Sequence, residues 1–486
     1  MPSGLPTVGS FVPVALLVGA GLVVASVAIA RRVGRGDAYP GLTTVIVASA
    51  VLHLLCAPAQ IFVVDHFYAG ISDWLRYDHQ GALLAANWRA GQFTLAGTGI
   101  HRILGDGAVS IFGGAIMTIV GPNQLAAFFV SSWLAFVGTV FFYRAFAVTF
   151  PEANRRRYAL LLFFFPSLLF WTADVSKEAV MTLALGLTAY GMARVLARLR
   201  AGYPLLILGG ALALVVRPDE LIVLVVAFAV AMVFRPRGPD RARHPLRAAG
   251  ALAFVAGALA VTAIEARRFV AASGGSGLSG ILSKVGANNQ GVGAGFGSSS
   301  VSYSSSPWGF PHDVYTVLFD PLPVTAHSLT QFLAAAENTV ILVVIVASLA
   351  HLRLVPRAAR QRPYVLMCLL YSIGFIYLFA ALGNLGLITR ERTLLLPFLL
   401  VLLALPIAPR GHAPYPWQIR RRRRRRSPSP AASTDADEPR AEWEAGVGAG
   451  WRADHEDTWT RTEWVWADWS AGARPEAEVP DPADRS

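Results

Sequence analysis

Apolar runs of 15 to 24 residues recur along the first 409 residues of the chain and are separated by short polar joints. Over such a run in a bilayer, only a helix lets the backbone satisfy its own hydrogen bonds. A transmembrane β-barrel would alternate apolar and polar residues, and these runs do not alternate. The pattern predicts an all-α, polytopic membrane bundle of about eleven helices, at residues 11–30, 41–63, 124–147, 158–173, 178–198, 203–217, 220–235, 248–265, 328–351, 363–382 and 393–409.

Five arginine clusters lie between these runs and indicate the orientation of the bundle. Basic joints of membrane proteins stay in the cytoplasm. The two long loops, 64–123 and 266–327, then face the extracytoplasmic side, with the N-terminus outside and the C-terminus in the cytoplasm. A 14-residue apolar stretch at 108–121 is too short to span and is interpreted as an interfacial or re-entrant helix. The clusters hold 18 arginines and occupy 31–35, 155–157, 194–200, 235–247 and 353–362.

Two segments have compositions that do not favour a packed core. The loop at 272–306 is rich in Gly and Ser and is predicted to be a mobile lid. Residues 410–486 contain seven consecutive arginines, Arg420–Arg426, followed by an acidic segment rich in Pro, Ser and Ala. This tail is predicted to be disordered and cytoplasmic, beside a transmembrane domain over 1–409. Six Trp between 443 and 469 leave a cytoplasmic protein partner as an alternative to a solvated tail.

Composition narrows the function further. With 54% hydrophobic and 15% charged residues, the chain is suited to a lipid bilayer and not to water. The net charge of +12 comes largely from dispersed arginines, so we interpret it as a topology signal and expect no nucleic-acid partner. Both cysteines, Cys56 and Cys368, lie inside apolar runs, which excludes a disulfide framework. No residue spacing indicates a metal site, although a divalent cation remains an open cofactor.

The first long loop carries the candidate catalytic acids. Asp73 and Asp78 follow an apolar run, with Tyr77 between them as a candidate substrate-binding residue. A carboxylate just above the lipid surface can take the proton from a sugar hydroxyl that attacks an anomeric carbon. Asp73 is the first candidate for this base and Asp78 the second, with Asp65 third. The simpler interpretation is that the acids are only solvated.

Cations at the outer ends of later runs are candidates for binding phosphate. Asp174 and Lys177 lie between two predicted spans, and Lys177 is one of only two lysines beside 40 arginines. A compact ammonium suits a phosphate contact, and a lysine that snorkels from a helix start is an equal alternative. Arginine binds phosphate oxygens with two parallel hydrogen bonds, but could equally pair with a nearby acid. The candidate arginines are Arg217, Arg390 and Arg392.

Glu337 lies about ten residues inside a predicted span. An ionised carboxylate at that depth requires a partner, so we expect it to face the bundle interior. It either pairs with one of the candidate arginines or serves as the second acid of the site.

This layout resembles the GT-C superfamily of glycosyltransferases that use polyprenyl-phosphate sugars, in particular bacterial mannosyl and arabinosyl transferases. The resemblance covers about residues 40–409. It implies that the loop acid Asp73 is the base and that Arg390 or Arg392 contacts the lipid phosphate. The two carboxylates of that superfamily's acid pair stand one residue apart, whereas Asp73 and Asp78 are five apart.

The resemblance predicts a membrane enzyme that transfers a sugar to a cell-envelope glycan or lipid on the extracytoplasmic side. Two alternatives stay open. A polysaccharide polymerase or ligase would use a lipid pyrophosphate and favour paired arginines over a loop base. A lipid-sugar flippase would bind its cargo on broken helices near the bilayer midplane. The transferase further predicts a pocket at outer-leaflet depth, open sideways to lipid, that Asp73 lines, with at least two of Lys177, Arg217 and Arg390 within about 15 Å.

Overall fold

All regular elements in the described part of the chain are helices. The computed structural model describes residues 12–67, 72–235, 257, 307–327, 329–380 and 385–408. The helices are α1 (Val12–Gly34), α2 (Leu42–Phe67), α3 (Asp73–Arg89), α4 (Asp106–Val120), α5 (Gln124–Thr149), α6 (Arg156–Phe163), α7 (Pro166–Phe170), α8 (Lys177–Leu196), α9 (Gly202–Val216), α10 (Pro218–Val233), α11 (Phe310–Phe319), α12 (Leu329–Val346), α13 (Leu349–Leu352), α14 (Val355–Gln361), α15 (Pro363–Phe379) and α16 (Leu385–Leu403).

Four of these helices, α1, α2, α5 and α8, are long and apolar enough to cross a membrane. Shorter apolar helices include α4, α9 and α15. On α1, Leu16, Leu17 and Val24 are each more than 60% exposed, as expected of side chains that face lipid. The all-helical class is therefore confirmed, and the length and composition of these helices are typical of a membrane protein. The predicted number of eleven spans is not confirmed.

The single span predicted over 158–173 is wrong, because this segment forms two short helices. Helix α6 ends at Phe163, and Phe165 has an extended backbone (φ −70°, ψ 125°) before Pro166 begins α7. A proline has no N–H to donate and disfavours helical backbone in the residue before it, so a continuous helix is interrupted here. The predicted start of the last span is also wrong. Helix α16 begins at Leu385, not at residue 393, so Arg390 and Arg392 lie inside it.

The first predicted long loop, 64–123, is largely helical. Helices α3 and α4 pack against each other through Gly81 and Gly114, where a Cβ on Gly114 would lie 3.1 Å from the Gly81 carbonyl oxygen. The predicted interfacial segment at 108–121 corresponds to α4. The predicted span 248–265, apart from Gly257, lies outside the described residues, as do the loop 272–306 and the tail 410–486.

Helix α8 lies at the centre of the bundle, between α5 and α9. A Cβ at Gly186 would approach the Gly138 carbonyl oxygen to 2.3 Å, so only glycines allow α8 and α5 to come this close. Nearly all of α8 is buried, including Glu178 in its first turn. The packing therefore carries the charged start of α8 into the protein interior.

An ion pair joins two of the polar joints between helices. Asp37, in the joint between α1 and α2, accepts hydrogen bonds from Arg155 (2.7 Å) and from the Tyr143 hydroxyl (2.8 Å). Both charged side chains are at most 10% exposed. Arg155, which belongs to the arginine cluster 155–157, thus connects the joint before α6 to the joint between α1 and α2, in addition to its predicted role in orientation.

Candidate functional site

Local sequence explains the positions of the charged residues at the starts of α8 and α10. Ser176 caps α8, with its hydroxyl accepting from the Ala179 N–H (3.3 Å), which places Lys177 and Glu178 in the first turn. Pro218 occupies the first turn of α10, which leaves Arg217 at its N-cap. Acids in a first turn are favoured by the helix dipole. These signals fix each charge on its own helix, but not its neighbours.

Six helices bring these ends around one cavity of about 280 Å³, which we name cavity A. Its volume lies near the lower end of the usual range of ligand sites, about 300–1,000 Å³. Cavity A has three apolar and six charged lining residues: Val216, Phe379 and Leu387, with Asp73, Lys177, Arg217, Asp219, Arg390 and Glu391. Asp73 thus lines a pocket together with all three candidate cations, as expected, while the depth of this pocket in the membrane and its opening to lipid stay predictions.

Glu178 does not line cavity A but forms ion pairs with both of its arginines. Its Oε1 lies 3.4 Å from the Arg217 guanidinium, and its Oε2 lies 2.7 Å from that of Arg390. The Glu178 side chain is fully buried. Because a buried carboxylate is stable as an ion only beside compensating cations, Glu178 and the two arginines hold one another in place.

Arg217 has two further carboxylates at its guanidinium. Glu391 forms a close ion pair with it, and Glu220 lies 3.5 Å away. Both carboxylates are almost completely buried. Three carboxylates therefore surround this one cation, so the charged groups behind cavity A carry more acid than base.

Asp73 is the most accessible charged group in the ion pairs of cavity A. Its side chain is 57% exposed and lies 3.2 Å from Arg390, whose side chain is only 18% exposed. Lys177 is 26% exposed. Asp73 can therefore exchange its contact with Arg390 for another partner at little desolvation cost, whereas Glu178 cannot.

Behind the lining of cavity A, three buried polar atoms have no hydrogen-bond partner among the described residues: Nε of Arg217 and Oε2 of both Glu220 and Glu391. A buried polar atom without a partner is unfavourable by about 1–3 kcal/mol. Because these atoms have almost no accessible surface, a ligand in cavity A does not reach them in this structure.

Asp106 forms a second junction, on the far side of Lys177. It lies 2.5 Å from Lys177 Nζ and 2.6 Å from Arg76, and it accepts a hydrogen bond from Tyr77 (3.1 Å). Partial burial acts to raise the pKa of Asp106, but the hydrogen bond and charge of Lys177, followed by Arg76, outweigh it and lower the pKa. Burial and the charge of Asp106 raise the pKa of Tyr77 above its ordinary range. Tyr77 is thus a neutral donor to Asp106.

Two predicted acids, Asp174 and Asp78, do not line cavity A. Asp174 is 4% exposed, and its carbonyl oxygen accepts from Ser131 (2.8 Å). Burial raises the pKa of Asp174 to about 6, against the opposing charge of Arg390. Burial also raises the pKa of Asp78 to about 6, and its Oδ1 has no hydrogen-bond partner in the described ranges.

Glu337 and Arg392 form a separate buried cluster and do not line cavity A. The Arg392 guanidinium lies 2.9 Å from Glu337 and donates to Asn338 Oδ1 (2.7 Å) and to the carbonyl oxygens of Val317 and Leu318 (both 3.2 Å). The predicted pairing of Glu337 with an arginine is confirmed. These contacts join α16 to α11 and α12, which favours a structural over a catalytic role.

Sequence analysis missed the acids that hold the site together. Glu178 and Glu391 each follow a predicted cation directly, and Asp106 begins the helix that was interpreted as interfacial. The available signal was the repeated occurrence of a base beside an acid at helix ends. Among the described residues, no group of three His, Cys, Asp or Glu side chains could hold a metal ion. The structure thus offers no protein-only cation site in these ranges.

No family model, no curated protein and no solved structure matches this chain.

Proposed function

We propose that the chain is a membrane glycosyltransferase that moves a sugar from a polyprenyl-phosphate donor to a glycan or lipid acceptor on the extracytoplasmic side. The observation that carries the proposal is the lining of cavity A, where the accessible carboxylate of Asp73 lies beside three cations. Attack and departure at an anomeric carbon are in line, so the donor must enter between Asp73 and the phosphate-binding cations and separate Asp73 from Arg390, which is 3.2 Å away in this structure. The apolar wall, with Phe379 and Leu387, suits the start of a lipid chain.

In this reaction, Asp73 takes the proton of an acceptor hydroxyl while the hydroxyl oxygen forms a bond to the anomeric carbon. The bond from that carbon to the phosphate oxygen breaks, and the electron pair leaves with the polyprenyl phosphate. Arg390 and Lys177 stabilise the departing anion. A donor phosphate can take the place of Asp73 at Arg390, since that contact is the most exposed ion pair of cavity A, and this exchange releases the base.

The lining of cavity A combines guanidinium groups with carboxylates, among them Arg217 and Glu391. A sugar hydroxyl can donate to a carboxylate and accept from a guanidinium, so this lining suits a sugar as the occupant.

The test uses sealed right-side-out vesicles, labelled polyprenyl-phosphate sugars and an acceptor analogue that does not cross the membrane. We expect Asp73→Asn to reduce transfer by about 10²- to 10⁴-fold, the usual contribution of a general base. Asp65→Asn is the matched control, because Asp65 is an exposed acid on α2 that does not line cavity A. Full activity of Asp73→Asn would rule out the base, and activity confined to inverted vesicles would rule out the assigned side.

A polymerase or ligase is the second candidate, because Arg217 and Arg390 both line cavity A and share Glu178. Two arginines held in this way suit a lipid pyrophosphate. This reaction would keep much of its activity in Asp73→Asn and lose it in Arg390→Gln. A lipid-sugar flippase is favoured only by the break between α6 and α7 beside the Glu337 cluster. Cargo movement in the absence of any transfer would indicate that function.

A further inference from the structure

A second cavity of about 410 Å³ lies beside cavity A, and we name it cavity B. Helix α3 and the segment that leads into α4 form its walls. Its polar lining comprises Arg76, Gln80, His101, Arg102 and Asp106. None of the residues that line cavity B also lines cavity A.

The wall of cavity B is held by specific hydrogen bonds. Gln80 donates to the Gly99 carbonyl oxygen (3.0 Å) and accepts from the Ser110 hydroxyl (2.7 Å), so one side chain ties the segment to both α3 and α4. The Gly105 N–H donates to the Val215 carbonyl oxygen of α9 (2.9 Å). Cavity B is therefore a formed feature of the fold and does not depend on an unattached loop.

Cavity B is basic, in contrast to cavity A. Arg76, Arg102 and His101 line it, and Asp106 is its only acid. Asp106 is already paired with Arg76 and with Lys177, which stands behind it. The Arg102 guanidinium thus carries a positive charge that no acid of the lining neutralises. Such a cavity favours an anionic ligand.

Only one ion pair separates the two cavities. Lys177 lines cavity A and Asp106 lines cavity B, and their charged atoms are 2.5 Å apart. On α3, Asp73 lines cavity A and Arg76, one turn later, lines cavity B. A ligand held at Arg76 is therefore within one helical turn of the proposed base.

Large apolar side chains are exposed next to the arginines of cavity B. Ile103 and Leu104 follow Arg102 in the chain and are 59% and 62% exposed, and Leu75, which precedes Arg76 on α3, is 44% exposed. Large apolar side chains exposed next to arginines suit the boundary between lipid tails and head groups. A ligand that touches both parts is an amphiphile with an anionic head.

We infer that cavity B binds the acceptor of the proposed reaction, and that this acceptor is a lipid whose head group carries a phosphate or carboxylate beside the reacting hydroxyl. Arg102, Arg76 and His101 hold the anion, Ile103 and Leu104 contact the lipid, and the hydroxyl reaches Asp73 past the pair of Lys177 and Asp106. The inference rests on the proposed function for the identity of its ligand as acceptor. The binding of the anion can be measured without turnover.

The binding experiment uses the purified full-length chain in phosphatidylcholine nanodiscs. Two probes offer the same anion from different sources: fluorescent phosphatidic acid from lipid, and glycerol 3-phosphate from water. We expect phosphatidic acid to bind at least tenfold more tightly than glycerol 3-phosphate. One arginine near a membrane surface typically contributes about fivefold to the binding of an anionic lipid, so Arg102→Gln should weaken phosphatidic acid binding by about that factor.

Two further variants distinguish a site from general surface charge. Arg102→Lys keeps the charge and should restore most of the binding. Arg89→Gln removes the same charge from the far end of α3, outside cavity B, and should leave binding unchanged. Equal weakening by Arg89→Gln and Arg102→Gln would overturn the inference in favour of non-specific attraction.

A kinetic measurement then links the site to the reaction. In the vesicle assay, Arg102→Gln should raise KM for the acceptor about fivefold with little change in kcat or in KM for the donor. An unchanged acceptor KM, or tighter binding of the water-soluble probe, would overturn the inference even if Asp73 proves essential. Loss of Asp73 dependence with the phosphatidic acid result intact would instead overturn the proposed function alone.

Discussion

Cavities A and B both contain arginine, but they hold it in different ways. In cavity A, Arg217 and Arg390 are at most 18% exposed and are surrounded by buried carboxylates. In cavity B, Arg76 is 49% exposed and shares its single acid with Lys177. Arginine therefore serves as part of the protein interior in cavity A and as a ligand-binding group in cavity B, depending on the acids that surround it.

The physical reason is the cost of desolvation. A guanidinium removed from water needs a carboxylate nearby, and it binds another anion only when that anion replaces the carboxylate, as we propose for the donor phosphate and Asp73 at Arg390. A guanidinium at the surface keeps its attraction, although solvent weakens it. Cavity A therefore offers cations of fixed position, while cavity B offers cations with charge to spare. A transferase needs the first for the reacting centre and the second for capture of an anionic substrate.

The largest expected effect comes from removing the central arginine of cavity A. Arg217→Gln leaves Glu178, Glu220 and Glu391 without their shared cation, and breaking a buried ion pair in this way typically costs about 3–5 kcal/mol. The matched change in cavity B, Arg102→Gln, should cost less than about 0.5 kcal/mol, as is usual at a surface. The measurement is the free energy of unfolding in detergent micelles. Similar losses in the two variants would show that the cluster behind cavity A is hydrated.

A smaller effect is expected at Asp174, and it should depend on pH. Burial raises its pKa from 3.8 to about 6, so the folded protein binds the proton more tightly than the unfolded chain does. The resulting stability is fully present below about pH 4 and is lost as pH rises towards 6. Above pH 6 the buried charge is unfavourable by up to about 3 kcal/mol. Asp174→Asn should therefore raise the unfolding temperature at pH 7.5 and change it little at pH 4.

The control for this prediction is Asp65→Asn, which removes an exposed carboxylate and should not alter the pH dependence of stability. A lower unfolding temperature of Asp174→Asn at pH 7.5 would contradict the prediction. It would mean that the ionised carboxylate is stabilised by Arg390 more strongly than it is penalised by burial.

The smallest effect concerns the ion pair between the cavities. Asp106→Asn removes the charge shared by Lys177 and Arg76, but all three side chains are partly exposed, at 43%, 26% and 49% respectively. Exposed ion pairs typically contribute less than about 1 kcal/mol, so the free energy of unfolding should fall by no more than that. A loss of 3 kcal/mol or more would place Asp106 with the buried acids of cavity A and weaken the distinction drawn between the two cavities.

Sequence patterns predicted that the chain forms helices but did not predict where some of those helices begin and end. The long apolar runs predicted the all-helical fold class, because a helix lets the backbone of such a run satisfy its own hydrogen bonds in a bilayer. The interruption at Pro166 was missed because the run from 158 to 173 is apolar on both sides of the proline. The early start of α16 was missed because Arg390, Glu391 and Arg392 read as a polar joint. Inside the bundle each of them has an oppositely charged or polar partner, so the helix can include them.

Neighbouring residues alone specify that this chain forms apolar helices and that acids and bases stand together at several helix ends. Which of these charges meet depends instead on how helices distant in the chain pack together. Asp73 and Arg390 are 317 positions apart in the chain, and Arg217 and Glu391 are 174 apart. Such pairs depend on how helices from distant parts of the chain pack, and close packing such as that of α8 against α5 requires glycines on both helices. In the resulting fold the arginines of cavity A lie largely buried beside carboxylates, whereas Arg102 in cavity B has no acid of the lining beside it.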